Sequence, residues 1–164
     1  MKKSEKTVIP YKKLGFTYLE TAEIVLALNK LMANYHIHYH KLRNFHWNVE
    51  GTDFFELHEQ FEIEYNEVKL TIDVIAERVR VFGIKPLHTM EKYLELSEIK
   101  EVEKTLTSVA MVKEILKDFS ILHNALLDVI NAALETGDAA TEQMATEFLT
   151  RLEKRHWMFT AWAK

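Results

Sequence analysis

The stretch from Thr52 to Val81, TDFFELHEQFEIEYNEVKLTIDVIAERVRV, contains no Gly or Pro, and Gly83 and Pro86 follow it. It reads as one long helix from about Asp53 to Phe82, opened by a capping-box-like Asp53-x-x-Glu56. Four polar residues on it are His58, Glu62, Asp73 and Glu77. At about 100° per residue, with His58 at zero, they fall near 0°, 40°, 60° and 100°, which is one stripe of the helix. At roughly 1.5 Å per residue, His58 and Asp73 are about 22 Å apart. No single metal ion can touch both ends of that stripe within one chain.

A second copy of the helix running antiparallel removes the conflict. His58 then meets Glu77 and Glu62 meets Asp73, both pairs being centred between residues 67 and 68. Self-complementary two-fold interfaces are the commonest way in which identical chains associate. Such a dimer creates two equal sites, each with His58 and Glu62 from one chain and Asp73 and Glu77 from the other. His46, near the end of the preceding helix and followed by Trp47, can join His58. Two imidazoles with up to three carboxylates suit iron, manganese or zinc.

The rest of the chain frames that helix. Four Gly and two Pro in 164 residues leave room for long uninterrupted helices. A first helix starts at Thr17-x-x-Glu20 and runs to about Asn48, with Ile24, Leu28, Leu31 and Tyr35 in helical register. Residues 84–104 form a long connection with a short helical piece near Glu91–Leu96. A third helix spans about Thr107 to Thr136 and stops at Gly137, and a fourth follows from about Ala139 with Asp138 as its cap. The expected architecture is all-α: a ferritin-like four-helix bundle over residues 17–164, with a short helix between the second and third.

Residues 1–16 read as a separate flexible arm. They carry Lys2, Lys3, Lys6, Lys12 and Lys13 against one acid, Glu5. The formal net charge of −4 therefore splits into a cationic arm and a body of −8, with sixteen basic and twenty-four acidic residues. Such an arm suits an anionic partner, and DNA phosphates contacted without sequence preference are the expectation. With no cysteine there is no disulfide, thiolate zinc site or thiol nucleophile. Neither a signal-peptide core nor an apolar run long enough to span a membrane is visible, so a cytoplasmic location, nucleoid association included, is expected.

The segments NFHW, Gly51, FFELHEQFE and IDVIAERV, then Gly83 and Pro86, TMEKYLE and RHWMFTAW, together resemble the Dps family of mini-ferritins. The resemblance covers nearly all of the chain from about residue 20. It implies a ferroxidase: Fe(II) is oxidised to Fe(III), by hydrogen peroxide more readily than dioxygen, and stored in a hollow dodecamer. It also implies protection of DNA from oxidative damage. By position the catalytic ligands are His46 and His58 of one subunit with Asp73 and Glu77 of the other. Glu62 joins the metal ligands directly or through water, standing where many members carry Asp. The resemblance also sets Trp47 beside the metal as a sink for oxidising equivalents, against the plainer reading of a core or interface residue. It places Glu135, Asp138 and Glu142 near iron-admitting pores, although helix-terminal acids explain the last two as well.

Rival readings are defined by the same residues. His36, His38 and His40 turn about 200° at each step, so the three cannot share one ion, and packing or surface roles are expected. Glu153-x-x-His156 is a lone Glu-x-x-His, whereas an intrasubunit di-iron ferritin needs that pattern on two helices. A nucleoid protein acting through its lysines alone, or a shell holding Zn2+ or Mn2+ without redox chemistry, are the remaining alternatives.

Overall fold

The computed structural model describes residues 18–164, with side chains described from Thr21 onward. The lysine-rich arm and the Thr17-x-x-Glu20 cap lie outside the described residues. Five helices follow in order: α1 Tyr18–Asn48, α2 Phe54–Val81, α3 Met90–Leu96, α4 Ser108–Thr136 and α5 Ala139–Trp162. The four long ones form the bundle, and α3 packs on α1 within the connection. From the end of α1 onward, every helix end lies within about two residues of its sequence expectation.

The caps explain most of those ends. Thr107 and Asp138 accept from the backbone N–H groups of Ala110 and Thr141, at α4 and α5 respectively. Gly137 sits at φ 68°, so the chain reverses and the Asp138 N–H returns to the Ala133 carbonyl. Asp53 departs from expectation. It stands at the N-cap of α2, but its side chain makes no cap bond. Instead its Oδ2 accepts from the Ser108 hydroxyl at 2.8 Å. The carboxylate ties the start of α2 to the start of α4, a contact that no local spacing reveals.

The core is apolar and continuous. Ile24, Leu28, Leu31 and Tyr35 of α1 are buried as their register requires, against Leu57, Phe61, Val68, Ile75 and Val79 of α2. Phe61 and Phe119 both pack on Phe159 from α5, with ring centroids 6.2 and 5.9 Å away. Asn34 is buried and fixes the long connection, its Oδ1 accepting from Ser97 Oγ and the Glu98 N–H.

Two buried polar groups sit within this core. Asp118 of α4 accepts from Lys41 Nζ at 2.7 Å and pairs with His38 Nδ1 at 2.9 Å, all three almost wholly buried. Glu64 of α2 accepts from Arg155 Nε at 2.6 Å and lies 3.3 Å from Arg151 of α5. Both carboxylates are neutralised by cations inside the bundle, which makes the burial tolerable. His36 stacks on Tyr93, and His40 is exposed. The triplet of alternate histidines thus divides between packing and surface, as its geometry requires, while His38 has an acid partner 80 residues away. Among the described residues no helix is long and apolar enough to cross a membrane.

Candidate metal centre

The end of α1 and the start of α2 are joined by a short turn in which Gly51 adopts φ 95°, a left-handed value that favours glycine. The turn brings His46 against His58. His46 Nδ1 lies 2.8 Å from the His58 carbonyl oxygen, and His58 Nδ1 lies 2.8 Å from the His46 carbonyl oxygen. A carbonyl can only accept, so each ring carries its hydrogen on Nδ1. Each Nε2 then has a free lone pair for a metal. The rings stack with centroids 3.8 Å apart and planes 20° from parallel.

Neighbouring side chains hold this pair from both sides. Phe54 stacks on His58 at 5.0 Å, and the edge of Tyr65 meets His46 at 5.3 Å. Tyr65 also donates to Glu62 Oε1 at 3.3 Å. Burial pushes the Tyr65 hydroxyl above its ordinary value, with the Glu62 charge adding to the rise, so it stays a protonated donor. Donor atoms of His46, His58 and Glu62 all lie within 4.8 Å of one another. Two imidazoles and one carboxylate with open positions form a set suited to ferrous iron.

Asp73 and Glu77 are not part of that cluster. Both are exposed on α2, about three to five turns further along, as the length of the stripe demands. Flanking that stripe, near 120–160° on the same angular scale, stand three exposed apolar side chains: Ile63 at 43%, Leu70 at 58% and Val74 at 42%. Trp47 is also exposed, with the Arg43 guanidinium 4.6 Å from its ring centre, so it is no core residue of the single chain. Asp138, by contrast, is buried and engaged by Arg78 at 2.6 and 2.8 Å. It is a helix cap and ion-pair partner.

Sequence reasoning missed Tyr65, although its place three residues after Glu62 and seven after His58 puts it on the same face. It also missed the interior pairs, and these bear on the intrasubunit di-iron reading. The buried acids Glu64 and Asp118 are each occupied by cations, leaving neither of them free to hold iron.

Comparison with known proteins agrees with the fold. A ferritin-like domain model matches residues 25–164. General stress protein 20U of Bacillus subtilis is 39% identical over 140 residues, spanning 85% of this chain and 97% of its own. DNA protection during starvation protein 2 of Bacillus anthracis is 40% identical over 139 residues, spanning 85% and 95%. Among solved structures, the Dps protein of Vibrio cholerae O1 superposes with a TM-score of 0.91 at 33% identity, over 99% of this chain and 100% of that one. That protein is described as a member of a broad superfamily of ferritin-like diiron-carboxylate proteins. The chain belongs to the Dps family of ferritin-like proteins.

Proposed function

We infer that this protein is a ferroxidase and iron-storage protein whose reactive site is shared between two chains. The observation that carries the reading is the pair of Nδ1–carbonyl bonds, which turns both His46 and His58 into ready Nε2 donors beside Glu62. The exposed apolar residues Ile63, Leu70 and Val74 support an antiparallel α2 pairing. Their burial would bring the partner's Asp73 and Glu77 to the histidine end.

Iron is the substrate. The imidazoles favour ferrous iron on arrival, and the carboxylates favour the harder ferric product. Hydrogen peroxide takes one electron from each of two ferrous ions and, with two protons, leaves as two waters. Because both electrons pass together, no hydroxyl radical is released, and the ferric product is deposited within a dodecameric shell. DNA is protected by the removal of iron and peroxide. The five arm lysines add a sequence-independent phosphate contact, made multivalent by the shell.

The test is anaerobic addition of Fe(II) to the purified protein, followed by peroxide. Ferric absorbance is recorded, and iron is measured in each fraction after gel filtration. Rapid oxidation with iron co-eluting in a large particle is expected. Oxidation no faster than in protein-free buffer would contradict the reading. Zn2+ or Mn2+ retained without any Fe(II) oxidation would identify a non-redox shell.

A further inference from the structure

A second group of donor atoms lies away from α1 and α2, between α4 and α5. His123 Nε2 stands 3.5 Å from Glu153 Oε1. That is longer than an ordinary N–H···O bond. It matches the edge of a coordination tetrahedron, which is roughly 3.3–3.6 Å for nitrogen and oxygen ligands about 2.0–2.2 Å from a metal. His156 follows Glu153 by one helical turn, a spacing that puts both side chains on one face. All three residues line a single open cavity of about 330 Å³, together with Phe119, Ser120 and Asn124. No lysine or arginine lines this cavity, so nothing cationic competes with an ion for the Glu153 carboxylate.

We propose that His123, Glu153 and His156 form a second metal site, one that takes a borderline divalent transition ion such as Zn2+ or Co2+. Two imidazoles and one carboxylate, with water in the remaining position, are a ligand set that such ions take readily. His156 is exposed, and its donor atoms lie outside coordinating distance of the other two in this conformation, so the site closes only when that side chain moves. The site shares no residue with the His46–His58 centre, so it stands whether or not that centre oxidises iron.

Co2+ is the probe, since its visible d–d absorption reports ligand number directly. The full-length protein is titrated as the His58→Ala variant, in which the first centre is crippled, and then with His123→Ala, Glu153→Gln or His156→Ala added. The His58→Ala protein is expected to bind about one Co2+ per chain through this site. Each added substitution is expected to weaken that binding by about tenfold or more. The three residues lie at the surface, and unchanged circular dichroism melting would show that the fold is intact. In the otherwise native chain, His123→Ala is expected to leave ferrous oxidation unaltered. Co2+ titrations that superimpose with and without His123→Ala and His156→Ala would overturn the proposal, leaving His123 and Glu153 as a surface ion pair.

Discussion

His46 and His58 each bond the other's backbone carbonyl through Nδ1 at 2.8 Å. The exchange fixes each ring through the other residue's main chain, and the two rings also stack at 3.8 Å. Replacing His58 with Ala removes one metal donor and the ring stacked on His46, while the residue 58 carbonyl still accepts from His46 Nδ1. Loss of a ligand's support alone commonly costs about 10–100-fold in metal affinity or activity. His58→Ala and His46→Ala are each expected to lower the initial rate of peroxide-driven Fe(II) oxidation by at least about tenfold. The double variant should be little worse than either single one, because losing either imidazole already leaves one shared ligand set incomplete. Stopped-flow ferric absorbance measures all three, and additive losses would argue against a single shared ligand set.

Asp118 holds Lys41 and His38 in the core, where Lys41 is 4% exposed. Asp118→Ala leaves the ammonium buried without its counter-charge, a change that costs about 3–5 kcal/mol when a buried pair is broken. Urea denaturation should show a loss of that size. Lys41→Met combined with Asp118→Leu should recover much of it, since apolar side chains of similar volume often replace a buried pair without penalty.

Asp138 gives the fold an acid limit. Burial pushes its carboxyl up, but the Arg78 fork and the hydrogen bonds from Thr141 outweigh that and hold it below the ordinary 3.8. A depressed carboxylate contributes stability that is fully present above the unfolded value and is lost as pH falls through the folded value. The Asp138 contribution should therefore persist at neutral pH and disappear below about pH 3.8. Arg78→Ala should lower the melting temperature at pH 7 by about 5–10 °C. The difference from the native chain should narrow as the pH is lowered through that window.

The exposed apolar face of α2 makes a separate prediction. Leu70 is 58% exposed on the side that carries Asp73 and Glu77. Leu70→Glu places a charge in the proposed two-fold contact while leaving every metal donor in place. Sedimentation velocity should show smaller assemblies, and ferrous oxidation should fall with them. Full assembly and full activity would disconnect this face from the site.

The legible and illegible parts of the sequence divide by distance along the chain. Helix ends could be read because their causes are local: Thr107 and Asp138 bond N–H groups three residues on, and Gly137 turns the chain by itself. The His46–His58 meeting was legible because a short turn joins the two helices. Asp53 misled because Ser108, 55 residues later, takes the carboxylate that local spacing assigns to a cap. The ion-pair role of His38 was hidden for the same reason, its acid lying on α4. Phe54 and Tyr65 around the histidines were masked by their ordinary role as helix-face aromatics.

The claim that one site draws on two chains can be tested by mixing two inactive variants. His58→Ala and Asp73→Ala are each expected to lack ferroxidase activity, since every site in either homodimer is damaged. In a mixed dimer, one site collects both defects and the other none. Co-expressed in equal amounts with random pairing, the variants should recover about one quarter of native activity, because about half of the dimers are mixed and each holds one intact site. Recovery near that level would establish the shared site. No recovery, in mixed assemblies verified by differential tags, would contradict it and confine the chemistry to a single chain.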